Sequence, residues 1–300
     1  MSQRVTTPPH QADNVAMTTP NAPLPVLDAP RPIEADLEPL LGEPFASALS
    51  SALTPSQSAN VDMVRGKLLQ RLSASHVAAR GKITARHTRL PKQTLAPGVQ
   101  QTLLYAAPAG RATRPGEPLR ASLLAFDAGS TWTAPPPGLH REWLVLRGAL
   151  DLGSEQLTQR DYHVDPAGST SPRLASSAGA LVFLRESDQD AAASDAPFTV
   201  RDADAGWPDY APGIQRRVLW QRQGQAALLY YTQPGADVPH HTHGHDEECL
   251  MVQGELFLDD ILLQEGDYQL APAGTGHRIT ATDTGVVLYA HGDLDLQFVG

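Results

Sequence analysis

The feature that most constrains this chain is that it carries one pattern twice. A shift of 106 residues lays "APPPGLHREWLVLRGAL" on "HHTHGHDEECLMVQGEL", so that Gly129 meets Gly235, Glu142 meets Glu248 and Gly148 meets Gly254. The same shift lays "RDYHVDPAGSTS" on "GDYQLAPAGTGH", matching Asp161, Tyr162, Pro166, Ala167 and Gly168 to identical residues. The lead-ins also match, "APGVQQTLLY" (Ala96 to Tyr105) with "APGIQRRVLW" (Ala211 to Trp220), at an offset of 115. The first copy therefore holds about nine extra residues within "APAGRATRPGEPLR". From "GKITARHTRL" onward the texture is one of short, alternating, β-branched runs punctuated by Gly and Pro, which is the signature of strands and turns. Self-similarity at a fixed shift means a repeated structural unit. The expectation is an all-β protein built from two tandem copies, residues 81–200 and 201–300.

Bulk properties narrow the function. The 300 residues suffice for two domains and an extension. A formal charge of -10 argues against a nucleic-acid binder held by phosphate contacts. Cys249 is the one cysteine, so no internal disulfide can form, which suits a reducing compartment. "MSQRVTTPPHQADNV" offers no signal-peptide core, and no uncharged apolar run reaches membrane-spanning length. A cytoplasmic protein is expected.

Residues 1–32, rich in Pro, Ala and Thr, read as a disordered tail. Residues 33–80 read as a short helical segment, frayed by Pro39 and Pro44, with Asn60 as N-cap and Val61, Val64, Leu68 and Leu72 on one face. Eight basic residues and no acid lie between Arg65 and Lys92. A solvated face is the plainer reading; a docking surface for an acidic protein is the sharper one.

The chemistry concentrates in the second copy. His241 and His243 are two apart, so on a strand both imidazoles face one side while Thr242 faces the other. Glu247 follows after a turn through Gly244, and His277 lies just past "PAGTG", a turn able to return a distant strand beside the first. Three neutral imidazoles and a carboxylate suit zinc, iron, manganese, nickel or cobalt. His240 has the wrong parity, His245 sits in the turn, and Cys249 shares the parity of Glu247. Cys249 thus reads as a buried apolar group near the site, or as a redox-sensitive thiol. Leu229, Tyr231, Met251 and Tyr289 are candidate liners of an apolar interior with no inward Lys.

These spacings resemble the two signature motifs of the cupin superfamily, small double-stranded β-helical (jelly-roll) barrels with a metal in the mouth. One departure is Ala281, where cupins often have Asn. The resemblance implies His241, His243, Glu247 and His277 as ligands of one divalent ion, zinc foremost, with iron, manganese or nickel as alternatives. It also implies a first barrel without metal, since Pro135, Pro137, Arg141 and Ser171 stand at the ligand positions. Trp143, in place of Cys249, is expected to fill that vacated interior, leaving His140 with no ligand role. Such a barrel reads as structural or dimer-forming.

Within the superfamily, "HTHGHDEECLMVQGELFLDDILLQEGDYQLAPAGTGHRITATDTGVVLYAHGDLD" looks most like the cupin-like domain of ChrR-type anti-sigma factors. "VRGKLLQRLSAS" followed by "GKITARHTR" resembles the junction before that domain. This implies a regulatory, stress-sensing protein with a sigma factor or other acidic protein as partner. The family's sigma-binding region uses a zinc-bound His and Cys pair, which nothing before Cys249 can supply. A mononuclear non-haem cupin dioxygenase is the alternative, and a metal-assisted isomerase or ligand-binding module a third class, which would need an extra acid or base in the mouth.

Overall fold

The computed structural model describes residues 63–67, 69–70, 81–109, 114–135, 138–170, 173–189, 195–278 and 280–299. The expected tail and most of the expected helical segment, Asn60, Val61, Leu68 and Leu72 included, lie outside these residues. Within them, 63–67 and 69–70 are helical, and Val64 is exposed. No helix among the described residues is long and apolar enough to cross a membrane.

The compact unit Lys67–Gly300 is almost entirely antiparallel sheet. In the first copy the strands run in the order Phe198–Val200, Tyr162–Asp165, His140–Leu152, Ala180–Ser187, Pro118–Phe126, Val99–Ala106 and Lys92–Ala96. In the second the order is Ile83–Ala85, Tyr268–Ala271, Glu247–Leu258, Val286–Asp293, Gln225–Thr232, Ile214–Arg222 and Asp209–Ala211. The two orders correspond strand for strand, so the repeat in sequence is a repeat in fold. Their first members are exchanged. Ile83–Ala85 leads into the first copy but pairs with Tyr268–Ala271 of the second, Ile83 opposite Leu270. Phe198–Val200, which the 115-residue offset matches to Ile83–Ala85 as the lead-in to the second copy, pairs with Tyr162–Asp165 of the first, Phe198 opposite Val164. Each lead-in strand completes the other copy's sheet.

Alternation along the long central strands explains the three apolar cores. Trp143 and Val145 point into the first barrel, whereas Leu144 and Leu146 point into a shared core between the copies. Likewise Cys249 and Met251 belong to the second barrel's interior, and Leu250 and Val252 to the shared core. Side chains of period two thereby bury both faces of one strand. The long strands bend at matched glycines, Gly148 with φ 76° and Gly254 with φ 82°. A Cβ at Gly148 would stand 2.1 Å from the Gly179 carbonyl oxygen, and one at Gly254 would stand 2.4 Å from that of Gly285. Both the left-handed conformation and the close approach require glycine.

The shared core contains a charged bridge. Arg185, 1 % exposed, donates from Nη1 to Glu142 Oε1 at 2.7 Å and from Nε to Glu248 Oε2 at 2.5 Å. Its Nη2 donates to the Gly116 carbonyl oxygen at 2.5 Å. Glu142 and Glu248 are repeat partners, and each also accepts a hydroxyl from its own copy's repeat-matched tyrosine, Tyr162 at 2.6 Å and Tyr268 at 2.7 Å. Tyr289 adds a third hydroxyl, to Glu142 Oε2 at 3.0 Å. The residue matched to Arg185 is His291, whose Nε2 lies 3.5 Å from Glu142 Oε1. His140 is here too, buried with its ring 5.6 Å from that of Trp220, while His291 stacks on the same indole.

Three of the four expected interior liners lie elsewhere. Leu229 and Tyr289 belong to the shared core, and Tyr231 is exposed; Met251 does pack in the barrel's own core. The cause is that Gln225–Thr232 is buried on both faces for most of its length, so its apolar run carries no alternation to read.

Burial, reinforced by the charge of Arg185, pushes the His291 imidazole down to about 3. In the unfolded chain it returns to about 6.5. Between those values the unfolded state binds a proton that the folded state refuses, so stability is intact above about 6.5 and falls as pH drops. The slope from this residue reaches at most about 1.4 kcal/mol per pH unit. Urea unfolding in the presence of chelator is expected to show a falling midpoint from pH 6.5 to 4.5, and His291→Phe should make that fall shallower. An unchanged slope in the variant would contradict the assignment.

Candidate metal centre

The mouth of the second barrel is closed by a small sheet of Gly276–His277, His241–Thr242 and Gln297–Phe298. His241 lies directly opposite His277 across this ladder, so the turn through Pro272 to Gly276 brings the distant histidine to the first. A Cβ on Gly276 would meet the His241 carbonyl oxygen at 2.2 Å, which makes glycine a condition of the approach. The His243 amide donates to the Thr275 carbonyl oxygen at 3.0 Å, and the Gly274 amide to that of His243 at 2.7 Å. Glu247 opens the long strand that follows. The turn between is fixed by Asp246 Oδ1, which accepts the Ala273 amide at 2.9 Å, and by Asp293, which accepts the Gly244 amide and pairs with His245.

All four expected site residues are therefore buried and together. His241, His243 and Glu247 each offer an atom within 4.8 Å of the others. Nε2 of His243 and Nε2 of His277 lie 3.2 Å and 3.3 Å from the same oxygen, Glu247 Oε2. The three imidazole rings sit with centroids 5.1 to 5.7 Å apart. His245 is turned to Asp293 instead, and His240 is half-buried.

The donor chemistry fits a divalent cation. Nδ1 of His243 has no hydrogen-bond partner among the described residues, and Nε2 of His243 and of His277 converge on one oxygen of Glu247; buried nitrogens left short of partners are costly unless something binds them. His241 Nδ1 donates to the Pro239 carbonyl oxygen at 2.9 Å, which leaves its Nε2 with a free lone pair. Burial lowers the pKa of His241 and of His243, keeping both neutral. Burial alone would raise the Glu247 carboxyl, but the adjoining His277, His243 and His241 outweigh it and bring it to about 2. His277 goes the other way: its burial is outweighed by Asp259 and Glu247, and its pKa rises. Behind it, Nδ1 faces Lys82 Nζ at 3.0 Å and Asp259 Oδ2 at 3.8 Å. Lys82 gave no sequence signal, because it lies 195 residues from His277 and comes from the exchanged lead-in segment.

Beside the cluster is an apolar cavity lined by Ile214, Val238, Leu256, Leu258, Val286 and Leu288, with Thr232, Thr280 and Thr282. Among the described residues the one carboxylate lining it is Glu247 of the cluster, no Lys or Arg lines it, and Tyr210 and Tyr230 do. Cys249 also faces it, with Sγ 3.8 Å from Glu247 Oε2. Burial and the adjacent carboxylate push the thiol well above its usual range, which favours the thiol over the reactive thiolate.

The first barrel has no such cluster among the described residues. Pro137 and Ser171 lie outside them; Arg141 is tied to Glu186 Oε1 at 2.9 Å and to the Pro135 carbonyl oxygen at 2.8 Å. Trp143 is wholly buried in that interior, with Nε1 donating to Asp165 Oδ2 at 2.8 Å. It fills the volume as expected.

Two barrels of this topology, one with a His-His-Glu cluster in its mouth, define a bicupin. Residues 195–295 match the family model of the ChrR cupin-like domain. No curated protein sequence matches the chain. Among solved structures, a candidate dioxygenase from Nostoc punctiforme is similar at 16% identity and TM-score 0.57, covering 74% of this chain and 85% of that one. A mutant of Bacillus subtilis oxalate decarboxylase aligns at 13% identity and TM-score 0.54, covering 72% and 78%. The oxalate decarboxylase of Lactobacillus farciminis, in a formate complex, aligns at 12% identity and TM-score 0.53, covering 72% and 87%. At these identities the likeness is one of fold.

A thiol-specific disulfide reagent should release no chromophore from the native protein and one equivalent after denaturation. Rapid reaction of native protein would contradict the inert reading of Cys249.

Proposed function

We propose that this chain is a regulatory, stress-sensing bicupin that carries one divalent ion, zinc foremost, on His241, His243, Glu247 and His277. The observation that carries the reading is that the donors of the cluster fall within the segment matching the ChrR cupin-like domain. Three side-chain nitrogens and one carboxylate make a closed four-coordinate set for zinc, as structural and sensing sites have. When bound, the ion would supply Lewis acidity and cross-link the mouth. This chain's own residues exclude water, keep two imidazoles neutral and hold Glu247 ionised.

The cavity supports regulation over catalysis. An enzyme acting on a small anion would need a cation to orient it, and a proton-transfer enzyme would need a separate acid or base. Apart from the cluster itself, the ionisable groups lining the cavity among the described residues are the Cys249 thiol and the phenols of Tyr210 and Tyr230, and burial pushes the Tyr230 hydroxyl up, away from proton transfer near neutrality. The partner class is a sigma factor or another acidic protein, met through the N-terminal region in the cytoplasm. Of the eight basic residues between Arg65 and Lys92, Lys82 and Arg86 are spent within the fold, on Asp259 and Asp267. Arg65, Lys67, Arg89 and Lys92 are exposed and available.

Metal analysis of the purified protein, read with oxygen uptake, tests the proposal. Zinc at one equivalent without oxygen chemistry is expected, as is near-complete loss of metal in His243→Ala. Iron or manganese with turnover would instead establish the dioxygenase reading, and full metal retention in His243→Ala would overturn the ligand set.

A further inference from the structure

Three matched positions differ in kind between the two barrel interiors. The first barrel has Phe126, Trp143 and Leu174, all buried in one apolar core; the 106-residue shift puts Thr232, Cys249 and Thr280 there in the second. Strand pairing agrees with the shift. Phe126 stands opposite Ala180 and Thr232 opposite Val286, while Leu174 stands opposite Leu152 and Thr280 opposite Leu258. All three second-copy residues line the apolar cavity beside the metal cluster.

Other polar groups on that cavity are engaged within the fold. Thr282 Oγ1 donates to the Glu255 carbonyl oxygen at 2.7 Å and accepts the Gly285 amide at 3.1 Å. Its match, Ser176, donates to the matched carbonyl of Ala149 at 2.7 Å, so this hydroxyl serves the fold in both copies. Tyr230 is hydrogen-bonded to Arg216, whose guanidinium also lies 4.1 Å from the centre of the Tyr210 ring. The hydroxyls of Thr232 and Thr280 differ: both are buried, and neither has a hydrogen-bond partner among the described residues. A buried hydroxyl without a partner is costly, and valine would fill the same space without that cost. Two such groups on one apolar cavity point to an occupant that bonds to them.

The cavity measures about 50 Å³. A water needs about 10–15 Å³, so the space suits about four heavy atoms. Ile214, Val238, Leu256, Val286 and Leu288 supply apolar walls, and among the described residues no Lys or Arg lines it. An anion would meet no side-chain cation there, and a hydrocarbon would leave both hydroxyls unpaired.

We propose that this cavity binds a small neutral organic molecule with one oxygen, a short-chain alcohol or carbonyl compound. Its carbon body lies against the apolar walls, and its oxygen is met by the Thr232 and Thr280 hydroxyls rather than by the cluster. As the signal of a regulatory protein the ligand rests on the reading proposed above; its binding does not.

Methyl NMR of the full-length protein as purified tests the site, with acetone, isobutane and acetate as probes, which share one branched shape and differ in oxygen and charge. Acetone should give saturable shifts of the Val286 and Leu288 methyl signals, and acetate none. Thr232→Val and Thr280→Val should each weaken acetone binding about fivefold, the worth of one hydrogen bond, and leave isobutane binding unchanged or tighter. Both variants should unfold in urea no earlier than wild type, since each sheds an unpaired hydroxyl, so weaker acetone binding is not lost fold. No saturable shift with acetone, the result if the hydroxyls hold ordered water only, overturns the inference. Acetate binding in place of acetone also overturns it, as does acetone affinity unchanged in both variants, which is adventitious apolar binding only. Zinc content and oxygen uptake of the same sample report on the regulatory reading separately. One equivalent of zinc with no acetone response sinks this inference alone, whereas iron or manganese with turnover sinks that reading and leaves the site standing on its acetone response.

Discussion

Arg185 sits where the two copies meet, and the arrangement of both barrels follows from how one cation satisfies two buried carboxylates. Glu142 and Glu248 occupy matched positions and are each met by a matched tyrosine hydroxyl. Strict symmetry would add a second arginine at the position of His291. The chain has one arginine for both acids instead, and a neutral histidine in the other place. Removing one member of such a set leaves an uncompensated buried charge, which costs about 3–5 kcal/mol, although the intact set need not be more stable than an apolar one. The long strands must stand so that Arg185 reaches Glu248 of the other copy, which also holds Glu247 of the candidate centre one residue away.

The duplicated fold has divided its labour through packing. In the first barrel an indole occupies the interior and Arg141 is locked to Glu186, and the described residues gather no metal-donor cluster there. In the second, a small thiol stands at the matched position, facing a cavity beside the His241, His243 and Glu247 cluster and His277. Trp143 against Cys249 is one difference between the filled interior and the open one. Exchange of the lead-in strands then ties the two roles together, because each barrel finishes its sheet with a piece of the other.

The repeat, the β texture and the four clustered residues are legible in the sequence because each rests on fixed spacing. His241 and His243 share strand parity; Gly276 and Gly254 mark approaches that only glycine permits; and the 106-residue shift needs no structure to be seen. The interior liners are not legible. Strands buried on both faces, such as Gln225–Thr232, have no alternation to read, and parity puts Tyr231 and Leu229 on the wrong side in consequence. Nor can spacing find the strand exchange or Lys82, since three-residue pairings and contacts across 195 positions are tertiary events. The one available hint for Glu142 is its identity with Glu248 in a copy that kept no metal donors at the matched positions. An acid kept there without a metal to serve has another task, and the task is Arg185.

The central claim is that the second barrel holds a single cation on His241, His243, Glu247 and His277, without the thiol. X-ray absorption spectroscopy of the zinc-loaded protein tests it most directly, because scattering from nitrogen, oxygen and sulfur is distinguishable. The expected result is one zinc per chain with four nitrogen or oxygen neighbours at about 2.0–2.2 Å, three of them showing imidazole outer-shell scattering. A neighbour at about 2.3 Å, the distance of a zinc–sulfur bond, would place Cys249 in the site and contradict the account.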